Sequence, residues 1–263
     1  MSGSLAQNIA DIAAMGYDGV ELAIRDPKLV DVDALEALTR EHGLRVPAIG
    51  TGQAWGEEKL SFTDPDLSVR RAAVERIKSH IPLAARFNAV IIIGLVRGII
   101  KPGITHEQGM AWVCEALQEC SAAAKPFGVR LALEPINRYE TTLVNSVAQG
   151  MALIDQVGAD NFGLLLDTFH MNIEEPDILQ SISACGDRIF HFHVADSNRW
   201  YPGAGHLDFS GILSRLQSTG YDGFVSGEFM PLPDPLTAAR ESIACLRAIL
   251  SSHELNPHPV TRS

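Results

Sequence analysis

Short apolar segments alternate with longer amphipathic segments along almost the whole chain, and this alternation restricts the fold more than any other feature. The short segments have the length of buried strands, and the longer ones have the 3.6-residue period of helices. Repeated strand–helix units of this kind form parallel sheets covered by helices. The pattern predicts an α/β fold with strands at Gly19–Ile24, Arg45–Gly50, Ala89–Val96, Arg130–Ile136, Phe162–Thr168, Ile189–Ala195 and Gly223–Phe229.

The predicted helices fill the segments between these strands. Ser4 is placed to cap the first helix, which extends to about Met15 and ends at Gly16. The remaining helices are predicted at Val32–His42, Ser68–Phe87, Thr105–Ala124, Ser146–Val157, Pro176–Ala184, Ser210–Ser218 and Leu236–Ser251.

The length of 263 residues suits one closed β/α barrel, which typically needs about 250 residues. We therefore expect a single domain over residues 1–263, with a loosely ordered tail over residues 253–263. The predicted strands number seven, whereas a TIM-type (β/α)8 barrel needs eight, and the chain opens on a helix. The pattern favours a TIM-type barrel whose first strand is missing from this sequence, and closure with seven strands is the alternative.

Charge and cysteine usage limit the partners and the compartment. The 21 basic and 32 acidic side chains give a net charge of −11, which opposes binding to a phosphate backbone. The apolar segments are too short to span a bilayer, and no basic-then-apolar leader opens the chain. The four cysteines form no CxxC pair and lie in apolar or helical segments, as expected for reduced thiols. We expect a cytoplasmic protein without nucleic-acid or membrane partners.

Four potential metal ligands lie at the C-terminal ends of four successive late strands: Glu134, Asp167, His193 and Glu228. The carboxyl ends of barrel strands converge on one face, so these side chains should meet at one point. Each residue alone is compatible with a helix cap, a loop charge or a core histidine. Three clustered carboxylates, however, need a cation, and three oxygens with one imidazole suit Mn²⁺, Mg²⁺ or Co²⁺. The set therefore predicts a divalent-metal site.

The motifs around these ligands resemble the xylose-isomerase-like barrel superfamily, and within it the ketose 3-epimerases of the D-tagatose and D-psicose type. The resemblance runs from GYDGVEL to GEFMP and covers nearly the whole chain. It implies that the four ligands form the metal centre, with Mn²⁺ as the expected ion. It also implies that Glu140, His170 and Arg199 hold the sugar, and that the protein forms a homo-oligomer.

Longer strings are similar to the 5-keto-L-gluconate epimerase branch, which acts on keto sugar acids. These strings are RDP from Arg25, AIGTGQA from Ala48, IIGLVRG from Ile92 and DTFHMNIEE from Asp167. The resemblance implies a keto sugar acid such as 5-keto-L-gluconate or D-tagaturonate as substrate, or a neutral ketose.

Inverting a carbon beside a ketone requires removal of a proton from one face and its return to the other. Glu134 and Glu228 can flank the substrate and exchange the roles of base and acid at C3, while a divalent cation stabilises the ene-diolate. Arg25 and Arg97 follow predicted strands, and an arginine binds a carboxylate through two parallel hydrogen bonds. We therefore expect at least one of them to bind a substrate carboxylate.

Three other functions are compatible with parts of this pattern. An aldose–ketose or hydroxypyruvate-type isomerase would use the same metal site. A zinc endonuclease of the endonuclease IV type shares the barrel, but it needs more histidine ligands and is disfavoured by the charge of −11. A non-catalytic sugar-binding protein would not need two opposed glutamates.

Overall fold

The computed structural model describes residues 4–255, with side chains described up to residue 252. Seven short parallel strands form one sheet in sequential order, each paired with the next along the chain. Their bounds are β1 Leu22–Ala23, β2 Ala48–Gly50, β3 Val90–Ile93, β4 Leu131–Leu133, β5 Phe162–Asp167, β6 Ile189–Val194 and β7 Val225–Gly227. The predicted α/β fold is thus confirmed, with strands shorter than their apolar patterns.

The helices connect these strands and cover one face of the sheet. Their bounds are α1 Leu5–Ala14, α2 Val32–Glu41, α3 Gly52–Gly56, α4 Leu67–Ser79, α5 Ile81–Phe87, α6 His106–Ala124, α7 Val147–Val157, α8 Thr168–Glu174, α9 Ile178–Cys185, α10 Phe209–Ser218 and α11 Pro235–Leu255. Ser4 caps α1, as predicted, by accepting a hydrogen bond from the Gln7 backbone N–H. Among residues 4–255, no helix is long and apolar enough to cross a membrane.

The prediction of one helix over Ser68–Phe87 was wrong, because two helices, α4 and α5, meet at His80. Pro82 lies in the first turn of α5 and has no N–H to continue the ladder of α4. The His80 ring lies 2.8 Å from the Arg76 carbonyl oxygen and 2.9 Å from that of Ile24, which fixes the junction against β1. Helices α3 and α8, both directly after strands, were not predicted.

Two apolar clusters stabilise the sheet. The larger one packs the helices against one face of the strands. The smaller one lies on the opposite face, and its members are Ala48, Val90, Ile92, Ala132 and Leu165. Leu165 and Asp167 are two residues apart in β5 and so project to the same side. The smaller cluster therefore forms the floor beneath the carboxyl end of the sheet.

A gap separates the two edge strands. Within the described residues β1 and β7 are not paired with each other, so the alternative of seven-stranded closure is not observed. A cavity of about 630 Å³ lies between them, lined by Val20 and Glu21 on one side and by Val225, Ser226 and Gly227 on the other. Within residues 4–255 the fold is a TIM barrel with seven of its eight strands. Whether Met1–Gly3 pair in the sheet, and whether the tail beyond Leu255 is ordered, lie outside the described residues.

The close approach of β5 to β6 requires glycine at position 163. A Cβ atom there would lie 2.6 Å from the Arg188 carbonyl oxygen and 2.7 Å from the Phe190 ring. We expect Gly163→Ala to lower the free energy of unfolding by about 2 kcal/mol, because the strands would have to separate. Gly56→Ala is the control, since nothing lies within 4 Å of the added atom. Urea unfolding curves measure both, and equal stabilities of the two variants would contradict the packing argument.

Candidate metal centre and sugar site

Four side chains from the carboxyl ends of β4 to β7 meet at one point. Glu134 follows β4, Asp167 ends β5, His193 lies near the end of β6, and Glu228 follows β7. Parallel pairing places Asp167 beside His193 in register. One potential ligand atom from each of the four lies within 4.8 Å of every other. The structure thus brings the four predicted ligands together.

Several polar atoms of this group are buried without a hydrogen-bond partner in the described part of the chain. They are Oε1 of Glu134, Oδ2 of Asp167 and Nδ1 of His193. Buried polar atoms are normally satisfied, because desolvation without a partner is costly. A cation held between these atoms would give all three a partner.

The pKa values show the cost of gathering the carboxyl groups. Burial, followed by the charge of Glu228, raises the pKa of Glu134 well above its usual range and that of Asp167 to about 7. Burial alone would also raise the pKa of Glu228, but the nearby His193 ring lowers it to about 2. Glu134 and Asp167 therefore resist ionisation unless a positive charge is added. Three oxygens and one imidazole nitrogen fit a divalent cation.

His170 and Asn137 border the group beside Glu134. Asn137 Nδ2 donates to Nδ1 of His170 at 2.8 Å, so the proton of the neutral ring lies on Nε2, which is 3.6 Å from Oε1 of Glu134. Burial, then the charge of Arg199, lowers the pKa of His170 to about 3. The ring is therefore neutral and presents an N–H to the site.

Asn137 was not predicted as a site residue. Its Nδ2 also donates to Oε1 of Glu140 at 2.9 Å, so one amide orients two of the predicted sugar-binding residues. The available signal was its position in the string EPINRYE, between Glu134 and Glu140.

Arg199 closes the other side of the site. Its guanidinium lies 3.2 Å from Oε1 of Glu140 and 3.4 Å from Oε2 of Glu228, and it covers the Phe169 ring at 4.7 Å. The residue has a φ of 61°, which a non-glycine residue adopts only when its surroundings enforce it.

Asp196 holds the loop that carries Arg199. The Asp196 carboxylate accepts hydrogen bonds from the backbone N–H groups of Ser197, Gly203 and Leu207. Burial raises the pKa of Asp196, but these backbone hydrogen bonds outweigh it and lower the pKa below its usual range. The ionised carboxylate therefore serves as the anchor of this loop.

A cavity of about 160 Å³ joins these residues. Glu140, His170 and Arg199 line it together with Glu134, His193 and Glu228. It is small, and it combines these ionisable side chains with apolar wall residues such as Ile92 and Leu95, as a site for a small hydroxylated molecule would.

Arg25 and Arg97 lie outside the lining of this cavity. Arg97 has no exposed surface, and its guanidinium donates to the backbone carbonyl oxygens of Glu134 and Leu143. The structure therefore does not place Arg97 at the cavity as expected, because the side chain is fully buried and two of its donors support backbone carbonyl groups. Arg25 is 41% exposed and pairs with Glu57 at 2.5 Å.

Comparison with known proteins identifies the family and several relatives. The family model of the xylose isomerase-like TIM barrel matches residues 9–249. The chain is 33% identical over 224 residues to an L-ribulose 3-epimerase of Methylomonas sp. (strain DH-1), covering 84% of this chain and 76% of that relative. It is 30% identical over 247 residues to the 3-dehydro-D-guloside 4-epimerase of Escherichia coli (strain K12), covering 90% and 91%.

A solved structure of an epimerase has the same fold. The D-allulose 3-epimerase from Methylomonas sp. in complex with D-allulose superposes with a TM-score of 0.81 and 27% identity, covering 92% of this chain and 90% of that chain.

Replacement of Asp167 by a neutral residue should remove its charge repulsion in the cation-free protein and also weaken cation binding. Asp167→Asn keeps the acceptor for the Phe169 N–H at 2.7 Å. The raised pKa of Asp167 means that its ionised form destabilises the cation-free fold above pH 7. At pH 8 and without divalent cations, we expect Asn to raise the free energy of unfolding by about 1–3 kcal/mol. This gain should shrink as the pH falls toward 5, where the native carboxyl is protonated.

The same variant should lose the rise in melting temperature that Mn²⁺ gives the native protein. Thermal unfolding with and without Mn²⁺ measures both effects, and Asp155→Asn on the exposed face of α7 is the control. An Asp167→Asn protein that is still stabilised by Mn²⁺ would contradict the ligand assignment.

Proposed function

This chain belongs to the xylose isomerase-like TIM barrel family, and we propose that it inverts the carbon next to the ketone of a keto sugar with the help of a divalent cation. It is an enzyme of the isomerase class, a carbohydrate epimerase like its relatives. The observation that carries the proposal is the pair of glutamates, Glu134 after β4 and Glu228 after β7, with ligand atoms within 4.8 Å of each other in one small cavity.

A bound divalent cation would supply Lewis acidity that stabilises an ene-diolate, and Mn²⁺ is the ion that we propose. The protein supplies the proton transfers. In one direction one glutamate removes the proton from the carbon beside the ketone, and the other returns a proton to the opposite face. In the reverse direction the two exchange roles. Two carboxyl groups suffice for these proton transfers, because epimerisation changes only the configuration of one carbon and does not move the carbonyl group.

The neighbouring side chains have positions that fit supporting roles. The Nε2–H of neutral His170 points toward Glu134 and can hold a hydroxyl or the carboxylate itself. Arg199 contacts Glu228 and Glu140 and thereby limits their rotation. We propose that Glu140, His170 and Arg199 bind the sugar hydroxyl groups.

The relatives support inversion beside a ketone more than any one substrate. An L-ribulose 3-epimerase and a 3-dehydro-D-guloside 4-epimerase both act at the carbon adjacent to the carbonyl, although the carbonyl is numbered differently. We propose C3 of a 2-ketose or of the corresponding keto sugar acid as the reacting centre. Aldose–ketose isomerisation, which would use the same site, is the alternative that the first experiment distinguishes.

Replacing either glutamate should stop exchange of the reacting hydrogen with solvent. The Mn²⁺-loaded protein is incubated in D₂O with neutral ketoses and keto sugar acids, and the products are read by NMR. We expect deuterium at C3 with inversion, and a loss of rate of at least about 10²-fold for Glu134→Gln and Glu228→Gln, since each loses its acid–base group. Glu115→Gln on the exposed face of α6 is the matched control. Deuterium at a terminal carbon would instead establish an isomerase.

Replacement of Arg25 and of Arg199 should distinguish an acid substrate from a neutral one. If 5-keto-L-gluconate or D-tagaturonate is the substrate, Arg25→Met should raise KM about tenfold for the acid and leave a neutral ketose unchanged, because a charge-assisted hydrogen bond is lost. Arg199→Met should lower kcat/KM for both classes, because it releases Glu140 and Glu228. If the KM for the acid were the same in Arg25→Met as in the native protein, carboxylate binding by Arg25 would be contradicted.

A further inference from the structure

Glu21 reaches the metal centre from the far side of the gap between β1 and β7. Its Oε2 lies 2.9 Å from Nε2 of His191 and 2.9 Å from Nε2 of His193, which are 170 and 172 residues away in sequence. The two histidines are two residues apart in β6 and therefore project to the same side of the sheet. The resemblance and the spacing assign no role to Glu21.

The two nitrogens of His193 have different surroundings. Nδ1 faces the carboxyl groups, at 3.6 Å from Oε2 of Glu228 and 3.9 Å from Oδ2 of Asp167. Nε2 faces Glu21. An ionised carboxylate only accepts hydrogen bonds, so Nε2 carries a proton. In the neutral ring that proton leaves the lone pair on Nδ1, directed at the predicted ligands.

His191 and Ser226 occupy the remaining surroundings of the Glu21 carboxylate. The Ser226 hydroxyl lies 3.0 Å from Nε2 of His191, and that nitrogen is the one that contacts Glu21. Both neighbours lie across the gap from Glu21, since Glu21 precedes β1 whereas His191 lies in β6 and Ser226 in β7. Glu21 thus connects one edge of the open sheet to the other, and it lines both the gap cavity and the site cavity.

We propose that Glu21 is a positioning residue of the cation site, which fixes the proton and the orientation of the His193 ring. A carboxylate behind a metal-bound histidine is a recurrent way to orient the ligand and raise its basicity, and its loss typically weakens metal binding by about 10- to 100-fold. The inference rests on the cation site of the proposed function.

The geometry favours this role over a second cation between Glu21, His191 and His193, although these three also lie close enough to bind one. A separation of 2.9 Å between nitrogen and oxygen is that of a hydrogen bond, whereas ligand atoms about 2.1 Å from one tetrahedral metal ion lie about 3.4 Å from each other. A hydrogen bond from each ring to Glu21 already accounts for the arrangement.

The test is titration of cation-free protein with Mn²⁺ by calorimetry. The native protein should bind one Mn²⁺ per chain, and Glu21→Gln should bind it about 10- to 100-fold more weakly, because a neutral amide is the poorer acceptor. Glu115→Gln should bind as the native protein does. Glu21→Asp, which retains the charge, should recover part of the affinity, and it also serves if Glu21→Gln does not fold.

Co²⁺ supplies a readout that a general loss of stability would not change. The visible absorption of bound Co²⁺ depends on ligand geometry, so Glu21→Gln should shift the bands in folded, saturated protein. Native-like affinity and spectrum in Glu21→Gln would overturn the positioning role alone. Two Mn²⁺ per native chain, with only one lost in Glu21→Gln, would overturn it in favour of a second site. Absence of any Mn²⁺ binding by the native protein would overturn the proposed function as well.

Discussion

Three carboxyl groups and one imidazole gathered around a buried point constrain the whole carboxyl end of the sheet. Glu134 and Asp167 are almost completely buried, and each retains an oxygen without a hydrogen-bond donor in the described structure. Buried like charges oppose folding, and only a positive partner makes the ionised set stable. The same clustering of carboxyl groups that destabilises the cation-free site would favour binding of a divalent cation there.

The register of the parallel strands positions these four side chains. β5 and β6 place Asp167 opposite His193, and the same pairing places Leu165 opposite His191 one layer below. Along β5 the inner face therefore changes from apolar Leu165 to polar Asp167 within two residues, and the candidate ligands lie above a packed floor. Glu21 extends the polar layer across the gap to β1, so the edge strand, although only two residues long, shares in the geometry of the site.

The fold class and the meeting of Glu134, Asp167, His193 and Glu228 at one point could be predicted because both follow from local pattern and strand topology. Strand–helix alternation specifies parallel pairing, and parallel pairing brings strand ends together wherever the residues lie in sequence. The direction of a side chain after a strand is not specified in this way. Arg97 turns beneath the loop and contacts backbone carbonyls, which no spacing indicates. Asn137 and Glu21 were missed for the same reason, since their contacts with His170 and His191 depend on side-chain direction and not on strand order.

The position of Arg199 bears on how a charged substrate would bind. Its guanidinium already lies between Glu140 and Glu228, and the Asp196-anchored loop holds it at a positive φ. A substrate carboxylate that binds Arg199 would compete with Glu140 and Glu228, and Glu228 is one of the two carboxylates that we propose for proton transfer. Arg25 is more exposed and pairs only with glutamates of the neighbouring loop, Glu57 and Glu58, among the described residues. Exchange of such a surface ion pair costs little. Recognition of an acid group by Arg25 would therefore leave the proton-transfer groups undisturbed, whereas recognition by Arg199 would not.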